Sequence, residues 1–507
     1  MRFLITFLIM INVAFSASAA TEPDKSNTLL LSGSLEFTNI DPSSNGYIFT
    51  RMQVIETLFD VDEKGTILPG LASSYRVSQD LKTWTISLRD NVKFHDGSAL
   101  NAQTAAYSLN VALNKYGSLG KANVSSIEAQ GNDTLIVTLS QPFVSLPAVL
   151  ANYANAILSR NSYGADDKVV NLYGTGPYTI YELAPPHKMT VKRFADYWGK
   201  KAQIEYATYL TGHRAESRVL QASSGQADIA LELPPASLMR LKMNPQLALH
   251  SVALPRTLIL KLNNGHEFLK DLEARKALSL AIDRKGLARA VLRTPGSESD
   301  QLLPSSISNW HLASRQPTEY NLEKASQLLK QLGWERNSDG MLEKQGQAFN
   351  LTLITYADRP ELTSIATALQ AQWKKLGVSL RVDITNSSAI PAGHQDGSLD
   401  VALIARNYGV IPDPLAVLRS DFGPEGGDWG AMNWSNTELN QIFEQLSQTT
   451  DANRYREKAQ RAAEIIAEQL PVIVISSYTN QVAVNKRVKG FRFDPFGRNY
   501  YLNEMEF

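Results

Sequence analysis

Segments with strand and helix patterns alternate along two separate stretches of the chain, at 202–241 and at 349–405. In each stretch, short apolar runs of strand length alternate with longer runs that have the apolar spacing of a helix. Such alternation is typical of α/β units, in which helices cover a largely parallel sheet. Because 507 residues exceed what a single hydrophobic core stabilises, the sequence predicts two α/β units in one chain.

An earlier stretch has a different pattern and predicts an insertion. TWTISLRDNVKFHDG, at 83–97, alternates apolar and polar residues as a half-buried strand does, and its end, His95-Asp96-Gly97, is typical of a turn. The strand patterns at 124–129 and 134–139 are paired around a Gly-Asn-Asp turn. We therefore expect the two α/β units to be joined through an early insertion.

The first nineteen residues, MRFLITFLIMINVAFSASA, have the features of a secretory signal peptide. Arg2 supplies the positive charge, residues 3–15 form the apolar core, and Ala17-Ser18-Ala19 supplies the small residues of a cleavage site. The chain has no cysteine and so lacks the residue to which a bacterial lipid anchor is attached. We expect a chain that is cleaved after residue 19 and released into the periplasm without a lipid anchor.

Composition and motifs argue against several function classes. The 50 basic residues are balanced by 50 acidic ones, which argues against binding to nucleic acid. The absence of cysteine excludes disulfides, thiol nucleophiles and thiolate metal sites. None of the patterns G-x-S-x-G, G-x-x-x-x-G-K-[ST], G-x-G-x-x-G or H-E-x-x-H is present, and the seven histidines are scattered. The sequence therefore favours a binding protein over an enzyme.

Eight segments, spread over nearly the whole chain after the signal peptide, carry a family resemblance. In chain order they are LPGLASSYRVSQDLKTWTISLRDNVKFHDGS (68–98), YGTGPYTI (173–180), FADYWG (194–199), GQADIAL (225–231), EARKALSLAIDRKGL (273–287), YNLEKASQLLKQLGW (320–334), ALQAQWKKLGVSLRV (368–382) and RVKGFRFDP (487–495). With these segments in this order, the chain resembles the family 5 extracellular solute-binding proteins. Members of that family deliver oligopeptides, dipeptides or chelated nickel to ABC importers.

The resemblance implies an α/β fold of two lobes joined by a hinge, with an extra domain inserted in the first lobe and the solute enclosed between the lobes. Mapped onto this sequence, the units are the signal peptide (1–19), lobe I (20–65, 175–258 and 482–507), the inserted domain (66–174) and lobe II (259–481). In the family, the segment that ends in His-Asp-Gly belongs to the inserted domain. We therefore expect a structural role for His95.

The resemblance also points to one loop as informative about the solute, ARNYGVIPDPLAVL at 405–418. Peptide-binding relatives often carry there an aspartate that holds the α-ammonium group, and Val410 occupies that place here. Arg406-Asn407-Tyr408-Gly409 matches the nickel-binding type, but no histidine lies at 424–428, where some of those proteins have one. The expectation is that Arg406 pairs with a carboxylate of the solute and that Tyr408 gives an aromatic contact. A metal wrapped in carboxylate chelators fits this expectation, as does an acidic or N-blocked peptide.

Further candidate ligand-binding residues follow from the resemblance, each with a structural alternative. They are Tyr47, Met52, Asn152, Tyr153 and Trp429. Met52 suits a core position equally well, and residues 152–153 suit a plain loop better. For Arg406, a structural salt bridge is as good an interpretation as a ligand contact.

The function that the resemblance implies is that of a periplasmic receptor, a monomer that passes its solute to an inner-membrane ABC permease. The solute is a nickel or other metal chelate or a peptide-like molecule, and the receptor has no cofactor of its own, since any metal arrives as part of the solute. A dipeptide or oligopeptide receptor is the alternative within this class. A secreted enzyme on the same scaffold, or a protein that presents solute to a sensor, is the alternative outside it.

Overall fold

The computed structural model describes residues 23–115, 117–356 and 359–507. The predicted signal peptide, 1–19, lies outside the described residues. Within the described part of the chain, no helix is long and apolar enough to cross a membrane.

Strands and helices follow one another along the whole described chain. The strands are β1 (Thr28–Gly33), β2 (Phe59–Val61), β3 (Ile67–Pro69), β4 (Ala72–Val77), β5 (Thr83–Leu88), β6 (Val124–Gln130), β7 (Thr134–Leu139), β8 (Tyr178–Ala184), β9 (Lys188–Arg193), β10 (Tyr206–Thr211), β11 (Ile229–Ala230), β12 (Leu247–Leu262), β13 (Glu335–Arg336), β14 (Leu342–Lys344), β15 (Gln347–Ala348), β16 (Asn350–Tyr356), β17 (Ser379–Thr385), β18 (Val401–Asn407) and β19 (Val472–Asn485). The α-helices are α1 (Pro42–Arg51), α2 (Ala102–Leu113), α3 (Leu146–Leu150), α4 (Ala215–Ser223), α5 (Leu238–Lys242), α6 (Leu272–Leu280), α7 (Arg284–Gly286), α8 (Leu322–Gln331), α9 (Pro360–Leu376), α10 (Ala389–Asp396), α11 (Leu415–Phe422), α12 (Thr437–Gln448) and α13 (Ala452–Gln469).

One sheet of ten strands extends through most of the molecule, in the order β17-β16-β18-β12-β19-β11-β1-β10-β9-β8. Its two halves are parallel around β1, which pairs with β10 and β11, and around β16, which pairs with β17 and β18. The central strands β12 and β19 are antiparallel to each other and join the halves. The α/β alternation in the sequence therefore corresponds to two parallel half-sheets.

Buried apolar side chains form three large clusters, which define the units of the molecule. One cluster is built from residues 258–475, a second from 58–157, and the third from 29–55, 156–231 and 482–505. We call these units lobe II, the inserted domain and lobe I. The arrangement confirms the predicted fold class, an α/β protein of two lobes with a domain inserted in the first. The unit boundaries given above stay predictions, which these clusters support.

The inserted domain is an antiparallel sheet in the order β4-β5-β7-β6. Trp84, Ile86 and Leu88 of β5 are buried in its core, as their alternation with polar residues predicts. His95 Nε2 lies 2.9 Å from the carbonyl oxygen of Gly176 and its backbone N–H donates to that of Gly174. Burial lowers the pKa of His95 to about 4. His95 therefore ties the inserted domain to lobe I as a neutral side chain.

Glu56 holds the same junction together. Its carboxylate accepts hydrogen bonds from Thr175 Oγ1 (2.7 Å), Tyr197 OH (2.8 Å) and Trp198 Nε1 (2.9 Å). These donors come from the sequence segments YGTGPYTI and FADYWG, so one carboxylate explains residues in both. The first segment needs a glycine at position 176, because a Cβ there would lie 2.0 Å from the carbonyl oxygen of Gln53.

Burial raises the pKa of Glu56 from 4.5 to about 7, although its three hydrogen bonds counteract the rise. Because the folded protein holds this proton more tightly than the unfolded chain does, stability falls as the pH rises from about 4.5 to about 7. We predict that Glu56→Gln removes this loss, which amounts to at most about 3 kcal/mol. Urea unfolding at pH 5 and pH 8 measures it. The exposed Glu319→Gln is the control, and an identical pH dependence in wild type and Glu56→Gln would contradict the prediction.

Candidate functional site

The strand directions turn the carboxyl ends of strands from the two lobes toward each other, and we call the region between these ends the gap. β11 and β12 run in the same direction, since both are antiparallel to β19, and β12 runs from lobe I into lobe II. β18 is antiparallel to β12 and therefore runs back toward lobe I. The last residues of the strands that end at the gap are Gly33, Thr211 and Ala230 in lobe I and Tyr356, Thr385 and Asn407 in lobe II. α/β proteins bind ligands at such ends.

The hinge lies where β12 and β19 cross from one lobe to the other. Residues 247–253 of β12 pair with β19 in lobe I, and residues 257–261 pair with it in lobe II. The register shifts between Ala253 and Thr257, where Pro255 has no N–H to donate. A short irregular stretch of this kind absorbs the backbone rotation of a hinge motion.

Two arginines flank one tyrosine at the lobe II side of the hinge. The guanidinium carbons of Arg256 and Arg359 lie 5.4 Å and 5.6 Å from the ring centre of Tyr478. Among the described residues, the contacts of Arg359 with polar groups are long, 3.4 Å from Nη1 to Tyr478 OH and 3.9 Å to Glu361. The Arg256 side chain has no hydrogen bond or ion pair among the residues that the structure describes, although the residue is half-buried. We call Arg256 and Arg359 the arginine pair.

The arginine pair has one acidic neighbour, Glu361, which lies 3.9 Å from Arg359 and helps to raise the pKa of Tyr478. Burial lowers the pKa of Arg256, and the like charge of Arg359 lowers it further. Both side chains stay charged, because an arginine is not deprotonated at any ordinary pH. An anion placed between them gains from both charges and from the planar donor fork of each guanidinium. The geometry at the hinge therefore suits a carboxylate.

Glu232 lies on the opposite, lobe I side of the gap, two residues after the end of β11. Its Oε2 accepts the N–H of Ser34 at 3.1 Å and the hydroxyl of Ser34. The rings of Tyr209 and Tyr500 are stacked at 6.3 Å nearby, and the charge of Glu232 adds to the effect of burial in raising the pKa of Tyr500. The gap thus has a negative charge on one wall and positive charge on the other.

Tyr47, Tyr153 and Asn152 lie together beside the gap. The rings of Tyr47 and Tyr153 are in edge-to-face contact at 5.9 Å, and both side chains are half-buried. Tyr47 OH donates to the carbonyl oxygen of Glu36. Asn152 Nδ2 donates across the gap to the carbonyl oxygen of Val410 at 3.3 Å. The predicted solute contacts of these three residues stay predictions, but Asn152 already has a role in joining the lobes.

Met52 and Tyr408 are buried within the lobes. Both have 0 % exposed surface, Met52 in the lobe I cluster and Tyr408 in the lobe II cluster. Tyr408 also donates its backbone N–H to the carbonyl oxygen of Pro255 at 2.7 Å. In this conformation neither side chain presents surface to a solute, so their predicted ligand contacts stay predictions without structural support.

Arg406 forms a bidentate ion pair with Asp421. Its Nε lies 2.7 Å from Oδ2 and its Nη2 lies 2.8 Å from Oδ1. Burial raises the pKa of Asp421 and the guanidinium counteracts that rise. The structural alternative weighed for Arg406 therefore describes its observed contacts. The ion pair uses Nε and Nη2 of Arg406, so Nη1 is the atom that could contact a solute carboxylate. That contact stays a prediction.

Trp429 lies in a loop that is attached far from the hinge. The carbonyl oxygens of Gly427 and Gly430 accept hydrogen bonds from Lys261 Nζ at 2.8 Å and 2.7 Å. Lys261 pairs with Ala402 on β18, at the opposite end of that strand from the hinge. Burial lowers the pKa of Lys261 to about 7. The half-buried Trp429 packs against the lobe II cluster, and its predicted stacking on solute stays a prediction.

The arginine pair and Glu232 are residues that the sequence analysis did not single out. Arg256 directly precedes the mostly apolar run Thr257–Leu262, and Glu232 directly follows the mostly apolar segment ADIAL. A charged residue directly beside an apolar strand is the sequence feature that could have identified Arg256 and Glu232. Among the described residues, no group of three or more His, Asp or Glu side chains is arranged to hold a metal ion.

The chain also matches known proteins over most of its length. A family model described as bacterial extracellular solute-binding proteins, family 5 Middle, matches residues 66–429. The nickel-binding protein NikA of Staphylococcus aureus is 26 % identical over 457 residues, which cover 88 % of each chain. The dipeptide-binding protein of Escherichia coli is 24 % identical over 471 residues, 86 % of each chain. A nickel ABC transporter structure from Bacillus halodurans superposes with a TM-score of 0.85 at 25 % identity, covering 95 % of this chain and 100 % of that one.

We predict that Arg406→Ala lowers the free energy of unfolding by about 3 kcal/mol, because it leaves the buried Asp421 carboxylate without its partner. Arg419→Ala on α11 is the matched control, since Arg419 pairs with Glu444 while both side chains are largely exposed (43 % and 62 %). Its expected cost is below about 1 kcal/mol. Urea unfolding at neutral pH compares the two variants. Equal losses would contradict a stabilising role for the Arg406–Asp421 pair.

Proposed function

Because the chain belongs to the family 5 bacterial extracellular solute-binding proteins, we propose that it captures a small carboxylate-bearing solute between its lobes and passes it to a membrane ABC permease. Solute-binding proteins of this family carry no resident cofactor. The proposed place of action is the periplasm, and the proposed working form is a monomer. Candidate solutes are a metal chelate and a short peptide.

The observation that carries this proposal is the arginine pair beside Tyr478. Arg256 belongs to the crossing strand β12 and Arg359 to lobe II, just before α9. A carboxylate at this point binds at the hinge itself, so the rest of the solute extends into the gap toward both lobes. Charge-assisted hydrogen bonds are about twice as strong as neutral ones, and partial burial protects them from water. A few such bonds account for micromolar binding, about −8 kcal/mol.

Direct contacts between the lobes support a mechanism of closure. Ser145 Oγ in the inserted domain donates to Asp413 Oδ2 in lobe II at 2.7 Å, and Tyr455 OH donates to the same carboxylate at 2.8 Å. The Asn152–Val410 hydrogen bond crosses the gap beside them. Ile411, on the same loop, packs against the core of the inserted domain.

Apart from the Tyr455–Asp413 hydrogen bond, which lies within lobe II, these contacts join two units that have separate cores, and they break when the units separate. A solute that binds both lobes favours the closed form by the difference between its affinities for the closed and open forms. The hydrogen bonds between the lobes stabilise the closed form, although they do not contact the solute. Binding and closure are therefore one coupled equilibrium, and the closed form is the one proposed to reach the permease.

A thermal-shift screen followed by calorimetry tests the proposal. The probes are L-alanyl-L-alanine, its N-acetyl derivative, a nickel–histidine complex and a nickel–citrate complex, with uncharged glucose as the negative probe. We expect at least one carboxylate-bearing probe to bind, and we expect Arg256→Ala to weaken it about thirtyfold, since a lost charge-assisted bond costs about 2 kcal/mol. Arg381→Ala, an exposed arginine on β17 (69 % exposed), is the control. Carboxylate binding that is unchanged by Arg256→Ala would contradict the proposal.

A further inference from the structure

We propose that His187 and His213 bind one divalent transition-metal ion, such as Zn²⁺, Ni²⁺ or Cu²⁺, on the surface of lobe I, and that Glu36 orients His213. The site is separate from the proposed capture of solute, because its three residues all belong to lobe I and it does not require the lobes to close. The inference is carried by the spacing of the two rings, the contact of His213 with Glu36 and the backbone that holds both histidines.

The two imidazole rings lie at a distance that suits a shared metal ion. Their ring centres are 5.7 Å apart and their planes are nearly perpendicular, at 86°. Metal–nitrogen bonds of about 2.1 Å at a tetrahedral angle place two imidazole centres about 5 to 6 Å apart. Both side chains are exposed, so they can rotate to point one nitrogen each at a common ion. One ion therefore fits between the rings.

Glu36 fixes the orientation of His213 and the position of its hydrogen. His213 Nδ1 lies 2.5 Å from Glu36 Oε1. Because a carboxylate only accepts hydrogen bonds, Nδ1 carries the hydrogen, and the neutral ring has its lone pair on Nε2. Histidines that bind metals almost always donate their other ring N–H to such a partner, which also makes the ligating nitrogen more basic. Nε2 of His213 is therefore prepared to act as a metal ligand.

Backbone hydrogen bonds hold the two histidines beside each other. His187 lies in the turn between β8 and β9, where its N–H donates to the carbonyl oxygen of Ala184 at 3.0 Å and its carbonyl oxygen accepts the N–H of Thr211 at 2.9 Å. Thr211 ends β10, two residues before His213. The carbonyl oxygen of His213 accepts a hydrogen bond from Arg218 Nη1 at 3.4 Å. Both ligands thus start from a fixed backbone, which reduces the ordering cost of binding an ion.

The kinds of ligand atom define the class of ion. The ring of His187 has no hydrogen bond or ion pair among the described residues, so its nitrogens are free to bind. Imidazole nitrogen suits Zn²⁺, Ni²⁺ and Cu²⁺, whereas Mg²⁺ and Ca²⁺ prefer oxygen ligands. Glu36 acts as an orienting group and not as a third ligand, in agreement with the lack of any three-residue metal cluster in the described part of the chain. Two protein ligands leave coordination positions that water or a small anion fills.

Isothermal titration calorimetry with ZnCl₂ tests the site, on mature protein that carries no histidine tag and has been freed of metal with a chelator. Zn²⁺ is expected to bind, and an excess of Mg²⁺ is expected not to compete. His187→Ala and His213→Ala are each expected to weaken Zn²⁺ binding at least about tenfold, because each removes one of the two ligands. Neither variant is expected to change the melting temperature of the metal-free protein, since both side chains are exposed.

Two further measurements examine Glu36 and supply a control. Glu36→Gln is expected to weaken Zn²⁺ binding about tenfold, as is usual when the orienting carboxylate is lost. Electron paramagnetic resonance of the Cu²⁺-loaded protein is expected to show two nitrogen ligands in wild type and in Glu36→Gln, but one in either histidine variant. His266→Ala is the matched control, because His266 lies 3.4 Å from the carboxylate of Asp400 but its ring contacts Phe268 and not a second histidine.

Failure of wild type to bind Zn²⁺, or binding that survives unchanged in the double variant His187→Ala/His213→Ala, would overturn the inference. An equal loss of affinity in His266→Ala and His213→Ala would overturn it as well. Unchanged affinity in Glu36→Gln would contradict the orienting role of that carboxylate. Arg256→Ala is expected to leave Zn²⁺ binding unchanged, so the metal site and the proposed function can each fail without the other.

Discussion

The antiparallel pairing of β12 with β19 is the constraint on which the rest of the structure depends. These two strands continue one sheet from lobe I into lobe II, and their irregular register near Pro255 is the point where the lobes can rotate. The same strands carry Arg256, Tyr478 and Asn480 to the mouth of the gap. Hinge and binding surface are therefore parts of one element, and a solute held there acts directly on the motion.

The polar groups around the gap divide into two kinds. Some are already satisfied and hold the structure together, such as the Arg406–Asp421 ion pair and the hydrogen bond from Ser145 to Asp413. The half-buried Arg256 side chain is different, because it has no hydrogen bond or ion pair among the described residues. Partly buried charges without partners are costly in a folded protein unless something binds them. This contrast distinguishes residues that stabilise the structure of the lobes from residues proposed to bind solute.

Much of the fold follows from local patterns, whereas the site does not. Alternating strand and helix segments predict the two parallel half-sheets, and the alternation around Trp84 predicts a strand of the inserted domain. The partner of Arg406 is fifteen residues away on α11, and nothing in the sequence distinguishes that pairing from a contact with solute. Glu232 and Arg256 lie at the same gap only because β11, β19 and β12 are neighbours in the sheet. Such juxtapositions depend on strand order, which periodicity does not encode.

The most direct test of the account is native mass spectrometry of the mature protein purified gently from the periplasm, followed by release and identification of what it carries. The account predicts one carboxylate-bearing solute per chain, either a metal chelate or a short peptide. A bound solute that has no carboxylate would contradict the central claim that the arginine pair at the hinge holds the solute.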